Sequence, residues 1–539
     1  MEVSPSSNAE SLGLDRYGIK NVGNVYRNLP TPDLYEQIVQ RREGLIAHLG
    51  PVVVRTGHHT GRSPDDKFIV REESSQDKIW WSKANKPFEP ARFDALYNRL
   101  LAYLQGKDIF IQDCYAGADS RYRIPIRIIT EFAWHNLFAR NMFIQIHDEA
   151  ELERHAPEFT ICAMPRFHAS PSIDGTTSEA FVIVNFGKRL ILIGGTSYAG
   201  EIKKAVFTVL NYFLPQEKVL SMHCAANIGP KEDVALFFGL SATGKTTLST
   251  DAERSLIGDD EHGWSEDGVF NFEGGCYAKV MGISTEQEPE IYECTRRFGT
   301  ILENVAIDIW TRRLDLDDDA LTENTRASYP IPHIENSVRS GTGPHPKNIF
   351  MLSYDAFGIM PPIALITPEQ ATYYFLQGYT ARVAGTEIGL DTEPEAVFSP
   401  CFGAPFMALP PMEYAKLLLH KVTQHKVNCW LVNTGLVGGS FGTGKRISLP
   451  HTRALVHAAT RGNLSGTPME KDPIFGFLYP KTCEGCPSEI LKPASAWKDS
   501  HAYHGQARKL AAKFAENFAQ FAGDVPPKVF DSGPKLDGS

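Results

Sequence analysis

The sequence predicts an α/β protein (mixed α+β), and three observations predict it. Short runs rich in Val, Ile and Phe alternate with segments whose apolar residues recur at helical spacing. One of these runs leads into a glycine-rich turn ending Gly244-Lys245-Thr246, a strand–turn–helix junction. The chain has 539 residues, 42% of them hydrophobic, which is too long for one core and rich enough for several.

Taken in order, residues 1–30 read as a flexible start, with few apolar residues and turn formers at Asn21, Gly23 and Asn24. Val52–Val54, Ile109–Ile111, Phe181–Asn185, Leu190–Ile193 and Val234–Phe238 read as strands. Ile202, Ala205, Val206, Val209 and Leu210 trace a helix directly after Gly200, with Pro215 just beyond. A long helix is expected from about His501 to Phe521, followed by a flexible Gly/Pro/Asp tail over about 525–539. The turn Leu214–Glu217 is the best boundary, giving an N-terminal domain over 1–218 and a C-terminal domain over 219–539.

Bulk properties exclude several classes. A net charge of −10 disfavours a nucleic-acid partner, since phosphate backbones attract basic surfaces. The strongest apolar runs are far too short to span a bilayer, and the first residues lack the basic and apolar regions of a signal peptide. Nine scattered cysteines suit a reducing compartment better than a disulfide framework. A cytoplasmic protein with no membrane partner is expected.

Gly239-Leu240-Ser241-Ala242-Thr243-Gly244-Lys245-Thr246 satisfies G-x-x-x-x-G-K-[ST], with a strand leading in and a helix able to begin at Lys245. Glycines let backbone N–H groups curl around phosphates, Lys245 can reach the β/γ oxygens, and the Thr246 hydroxyl can hold Mg²⁺. Just downstream, the apolar run Ser255–Gly258 ends in Asp259 and Asp260. Alone that is an exposed acidic turn; beside a phosphate loop it reads as a place for a divalent cation. A near-repeat, Gly439 to Arg446, has Arg where the metal-binding hydroxyl should stand, so it reads as a second glycine-rich basic loop near the nucleotide.

Arg62, in Thr56-Gly-His-His-Thr-Gly-Arg62-Ser63-Pro64, and Arg326, in Asn324-Thr-Arg326, lie in turns where a guanidinium fork could take a carboxylate or phosphate. Taken singly, each is more often a solvated or salt-bridged surface residue. On spacing alone Lys204 points away from the apolar stripe of its helix and Lys203 flanks it, which reads as a solvated face. His223, between Met222 and Cys224, reads by default as a satisfied interior histidine.

The combination is more specific than its parts. Gly61–Pro64, Tyr198–Lys204, Gly239–Thr247, Ile257–Trp264, Glu273–Lys279, Asn324–Arg326 and Gly442–Ser448, in that order, closely resemble the ATP-dependent phosphoenolpyruvate carboxykinases, from about residue 30 to 520. The resemblance implies a substrate domain, a P-loop nucleotide domain and an active site in the cleft between them. It implies reversible conversion of oxaloacetate and ATP to phosphoenolpyruvate, ADP and CO₂, a gluconeogenic step, by an enzyme that acts as a monomer.

Residue by residue, it implies that Arg62, Tyr198, Lys204 and Arg326 contact the substrate and CO₂, with Lys203 in the catalytic group. Lys204, His223 and Asp260 become Mn²⁺ ligands, which overturns the bland readings of Lys204 and His223. Gly239–Thr247 cradle the nucleotide phosphates, Lys245, Lys279 and Arg326 contact them, and Thr246 holds Mg²⁺. Arg446, Ile447 and Thr452 fall on the nucleoside side. Lys204 can ligate only as a neutral amine, and two nitrogen donors with a carboxylate suit Mn²⁺ better than Mg²⁺.

Two positions depart from the family pattern: Asp65 stands where Lys is usual after Ser-Pro, and Ala242 where Gly is usual in the loop. Neither removes an assigned chemical group. A related P-loop kinase and a non-catalytic nucleotide-binding regulator share the phosphate loop. The first does not account for the Arg62 and Tyr198–Lys204 segments, and the second should have lost one of Lys204, His223, Asp260, Lys245 or Thr246. GTP in place of ATP is disfavoured by Gly442–Ser448. Cys483-x-x-Cys486 with His501 and His504 approximates a zinc pattern, although the His-x-x-His gap is short.

Overall fold

The computed structural model describes residues 12–241, 243–286, 288–382 and 394–536. The chain divides into two units, each with its own sheets. The first runs to Phe213 and takes in Asn271–Gly341 and Pro405–Leu409; the second holds Leu214–Phe270, Thr342–Ala404 and the chain from Pro410 onward. The first crossing lies five residues before the cut expected at 218, and residues 271–341 group with the first unit. Strand pairing explains the difference. Ile301–Glu303 pairs in parallel with Val52–Val54, Ile301 opposite Val52, which draws Gly275–Lys279 and Arg326–Pro330 into a five-stranded sheet with residues 44–54.

The larger sheet of the first unit has nine strands. Its main path runs Val25–Arg27, Ile109–Ala116, Ile124–Thr130, Phe159–Met164, Leu190–Gly194, Phe181–Asn185, Lys67–Val70, Lys86–Phe88, and Ile144–Gln145 pairs off the second of these. Phe181–Asn185 and Leu190–Gly194 are buried along their whole length. Covering on both faces explains why they read as unbroken apolar runs rather than alternating ones. The helix Gly200–Phe213 follows, with every residue buried except Lys204 and Phe213. Lys203 is therefore interior, and the solvated face expected from its spacing is absent there.

Both expected loose ends are packed where described. Leu14 and Ile19 are fully buried in a core with Phe93, Leu96, Leu100 and Ile109, and Val25–Arg27 pairs in parallel with Ile109–Ile111. Asp113, fully buried on the Ile109–Ala116 strand, binds Arg127 through two hydrogen bonds of 2.7 and 2.8 Å and Arg27 at 2.8 Å. Two apolar anchors and one ion cluster hold a segment whose average composition is polar. At the other end, Val529 is fully buried within the turn Pro527–Phe530, and the Lys535 N–H donates to the Ile474 carbonyl at 2.8 Å. The rest of the expected flexible ends, 1–11 and 537–539, lies outside the described residues.

The second unit is built on an eight-stranded sheet: Ser255–Gly258, Cys224–Ile228, Val234–Phe238, Pro346–Ser353, Asn428–Asn433, Ile363–Ile366, Leu478–Pro480, Met469–Lys471. Val234–Phe238, wholly buried, lies between an antiparallel neighbour, Cys224–Ile228, and a parallel one, Pro346–Ser353. The helix Leu449–Thr460 adds Leu455, Val456 and Ala459 to the core that contains Phe237 and Phe350. The closing helix spans Ser500–Phe518, capped by the Asp499 carboxylate, which accepts from the His501 and Ala502 N–H groups; a 3-10 turn extends it through Phe521.

Candidate active site

In the second unit, the strand Val234–Phe238 delivers the chain to Gly239, and a helix opens at Lys245. Gly244 caps that helix with φ 92°, a left-handed conformation that favours glycine. The helix is short, Lys245–Ser249, so its dipole is little more than that of one turn. The charge of Lys245 and the loop's N–H groups must do most of the anion binding. The loop is braced from within and from behind: Thr243 Oγ1 donates to the Leu240 carbonyl at 2.8 Å, and Thr434 Oγ1 donates to the Thr243 carbonyl at 2.9 Å. Ala242 lies outside the described residues.

Lys245 points at the residues expected to hold metal. Its Nζ is 2.5 Å from Asp260 Oδ1 and 3.0 Å from His223 Nε2, and those two atoms are 3.0 Å apart. The other ring nitrogen settles the tautomer. His223 Nδ1 is 2.6 Å from the Phe402 carbonyl, and a carbonyl can only accept, so Nδ1 carries the proton. In the neutral ring Nε2 then presents a lone pair toward Asp260. A carboxylate oxygen and an imidazole lone pair sharing one ammonium form the contact that a cation bound by the pair would make. The donor set fits a transition metal.

The carbonyl that orients His223 sits on a strained turn. Cys401 and Phe402 have φ of 55° and 57°, two successive non-glycine residues in the left-handed region, at a cost of roughly 1–2 kcal/mol each. Such strain persists only where surroundings impose it, and here the packing of Phe402, which is 2% exposed, imposes it.

On the expected nucleoside side, Arg446 lies on the short strand Lys445–Arg446, paired with Leu436–Val437. Its Nε donates to the Thr434 carbonyl at 3.4 Å, so Thr434 joins the phosphate loop and Arg446 through its hydroxyl and its carbonyl. Ile447 and Thr452 are buried, and Thr452 Oγ1 donates to the Ser448 carbonyl one turn earlier in its helix, at 3.3 Å. The glycine-rich near-repeat leads into that strand and not into a helix.

The first unit holds the other expected residues: Arg62, Tyr198, Lys203, Lys204, Lys279 and Arg326. A cavity of about 240 Å³ is lined by Arg62, Lys204, Lys67, Glu201, Thr208 and Phe406, among others. Arg62 and Lys204 each place their charge 4.5 Å from the centroid of the Phe406 ring, so one aromatic ring steadies both cations. The Arg62 loop is pinned at two points. Glu201 Oε1 accepts from the Ser63 N–H at 2.7 Å, and Asn324 Nδ2 donates to the Thr60 carbonyl at 2.8 Å. Asn324 Oδ1 also accepts from Arg326 Nε at 3.0 Å, so one amide side chain joins the two arginine segments.

Arg326 and Lys279 stand directly opposite on antiparallel strands. Like charges so placed repel, an arrangement that suits a shared anion. On its other side Arg326 faces Glu303, its guanidinium 5.5 Å from the Tyr277 ring, whose hydroxyl donates to Glu303 at 2.9 Å. Burial pushes the Glu303 carboxyl up to about 8, only partly countered by the Tyr277 hydrogen bond and Arg326. Tyr198 packs 6.0 Å from Tyr277, ring to ring. A Cβ on Gly200 would come within 2.5 Å of the Tyr198 ring, so the helix start needs glycine for this approach.

Lys203 is buried and pairs with Glu273 Oε1 at 3.0 Å, and it is not among the residues that line the cavity. Asp65, the departure in the arginine loop, is exposed and pairs with Lys86 at 3.3 Å. Among the described residues no group of three or more His, Cys, Asp or Glu could hold a metal ion, so Cys483, Cys486, His501 and His504 assemble no zinc site. All nine cysteines are free thiols, and among the described residues no helix is long and apolar enough to cross a membrane.

Sequence reasoning missed Phe406, Lys67 and the Phe402 carbonyl. Phe406 and Phe402 carry no motif, and their partners are more than 170 residues away in the chain. Lys67 follows the Arg62 loop by five residues, so proximity was a usable signal. Its amine donates to Asn85 Oδ1 at 3.0 Å and to the Pro405 carbonyl at 2.7 Å, and desolvation, with Arg62 adding to it, pushes its pKa down to about 7.

Residues 23–489 match the family described as phosphoenolpyruvate carboxykinase. The phosphoenolpyruvate carboxykinase (ATP) of Geotalea uraniireducens is 61% identical over 518 residues, covering 96% of this chain and 97% of the relative. The enzyme of the same name from Thermus thermophilus is 54% identical over 527 residues, covering 97% and 99%. In Moorella thermoacetica, phosphoenolpyruvate carboxykinase (ATP) 2 is 55% identical over 524 residues, with the same coverage. The chain belongs to the ATP-dependent phosphoenolpyruvate carboxykinase family.

Proposed function

We infer that the protein is a phosphoenolpyruvate carboxykinase (ATP), a carboxy-lyase that converts oxaloacetate and ATP to phosphoenolpyruvate, ADP and CO₂, reversibly. The observation that carries this beyond a generic kinase is the meeting of the phosphate-loop lysine, Lys245, with His223 and Asp260. A simple kinase needs a metal on its nucleotide; an imidazole lone pair beside a carboxylate is the donor set for a second, transition-metal site.

In this reading Arg62, Tyr198 and Arg326 hold the oxaloacetate carboxylates and the departing CO₂. Breaking the C–C bond leaves its electron pair on an enolate, whose oxygen attacks the γ-phosphorus as the bond to the ADP oxygen breaks. Lys245, Lys279 and Arg326 offset the charge on the transferring phosphoryl group. Lys204, His223 and Asp260 would hold Mn²⁺ and Thr246 would hold Mg²⁺, supplying Lewis-acid stabilisation of the enolate and of the phosphates. Lys203, paired with Glu273, supports this group, and Arg446, Ile447 and Thr452 take the nucleoside. The Phe406 ring keeps Arg62 and Lys204 in place before substrate arrives. The cytoplasm, a monomeric state and an absence of nucleic-acid or membrane partners complete the proposal, which size-exclusion chromatography with light scattering would test for the oligomer.

The functional test is a stoichiometry. With oxaloacetate, ATP, Mg²⁺ and Mn²⁺, phosphoenolpyruvate and ADP should appear in equal amounts. ADP released with the phosphoryl group transferred to another acceptor, and oxaloacetate untouched, would support a plain kinase instead.

A further inference from the structure

The helix that carries Lys245 and Thr246 has five residues, well short of the roughly 12–15 that a helix needs to persist alone. Contacts from elsewhere must hold it. Asn227 Nδ2 supplies one, donating to the Ser249 carbonyl at 2.8 Å. Leu248 packs into the core with Ala225 and Phe237, and further polar contacts come from one stripe of the helix Leu449–Thr460 and its cap. Arg453, His457 and Arg461 recur every four residues, and so lie on one face. Arg453 Nη2 donates to the Thr247 carbonyl at 3.4 Å, His457 Nε2 meets the Asp251 carboxylate, and Arg461 pairs with Glu253. Each partner sits in the phosphate-loop helix or in the turn just after it. The residue before Arg453 is Thr452, the buried threonine assigned to the nucleoside side.

We propose that Arg453 and His457 are positioning residues that clamp the phosphate loop to the helix bearing Thr452, so that the two ends of one ATP reinforce each other's binding. The inference rests on the nucleotide-site reading above. Its physical basis is the gain from joining two ligand fragments, which is large only when their subsites are held at a fixed separation. A five-residue helix free to shift would let that separation vary. The Arg461–Glu253 pair is half exposed at both ends and contributes little. His457 and Asp251, 27% and 11% exposed, are shielded enough to matter.

The test uses the full chain and three ligands: ATP, adenosine and inorganic tripolyphosphate, each competed against a fluorescent adenine nucleotide. His457→Asn should weaken ATP by about 10-fold while changing adenosine and tripolyphosphate by less than about 2-fold, the scale of one charge-assisted hydrogen bond. Asp251→Asn should do the same, and combining the two should add nothing. Arg453→Met, at a half-buried surface position, repeats the test in case His457 variants fold poorly. Equal weakening of all three ligands would mean general damage and overturn the clamp. Unchanged ATP affinity in every variant, with normal binding by the parent protein, would also overturn it. A parent protein that binds ATP no better than tripolyphosphate would instead overturn the nucleotide-site reading.

Discussion

His223 Nε2 and Asp260 Oδ1 stand 3.0 Å apart, and the Lys245 ammonium touches both. The residue proposed to bind the transferring phosphate is thereby placed against the residues proposed to hold a metal. His223→Ala and Asp260→Asn should each weaken Mn²⁺ binding by at least about 10- to 100-fold, measured directly by electron paramagnetic resonance of free Mn²⁺, while ATP still binds the loop. Mn²⁺ affinity within about 2-fold of the parent in both variants would remove them from the ligand set.

Asn324 joins the Arg62 loop to Arg326 with one side chain. Asn324→Ala removes both hydrogen bonds, one of them to a charged group, and should cost roughly 2–3 kcal/mol. Most of that should appear as a raised KM for oxaloacetate, with KM for ATP little changed. Steady-state kinetics with each substrate varied in turn checks the split.

Gly200 lies under the Tyr198 ring, where an added Cβ would fall 2.5 Å from a ring carbon. Gly200→Ala should displace Tyr198 and cost about 1–3 kcal/mol of stability. Activity should fall more steeply than in Tyr198→Phe, which keeps the ring in place. A Gly200→Ala protein with parental kinetics would show that the Tyr198 position is unimportant.

These arrangements show what the sequence could and could not reveal. The phosphate loop was legible because its residues are consecutive and its physics is local: a buried strand, a left-handed glycine, then Lys245. The runs Phe181–Asn185 and Val234–Phe238 were legible because strands covered on both faces are uniformly apolar. The return of 271–341 to the first unit was not, because it is decided by Ile301–Glu303 choosing Val52–Val54, a partner some 250 residues away that any apolar strand could have matched. Lys203 and Lys204 show the same limit. Helical spacing put both outside the apolar stripe, yet Lys203 is interior because Glu273, 70 residues on, offers it a buried partner.

Asp113 gives a pH prediction remote from the site. Burial raises its carboxyl, but Arg127, with Arg27, outweighs burial and holds it below the usual range. A carboxylate whose folded pKa is depressed contributes stability above its unfolded value, about 3.9, and loses it as pH falls through the folded value. Asp113→Asn leaves Arg127 charged and buried, and should destabilise the first unit by about 3–5 kcal/mol at neutral pH. It should also lose part of the parent's acid sensitivity below about pH 4. Urea unfolding at pH 7 and pH 3.5 measures both, and an equal deficit at the two pH values would contradict the account.

The most direct test of the account is carboxylation. Protein supplied with phosphoenolpyruvate, ADP, bicarbonate and Mn²⁺ should form oxaloacetate, followed by NADH oxidation through malate dehydrogenase, and the signal should require ADP. It should fall by at least about 100-fold in His223→Ala. Oxaloacetate formed without ADP, or none from folded protein that binds ATP, would contradict the assignment of this chain's chemistry.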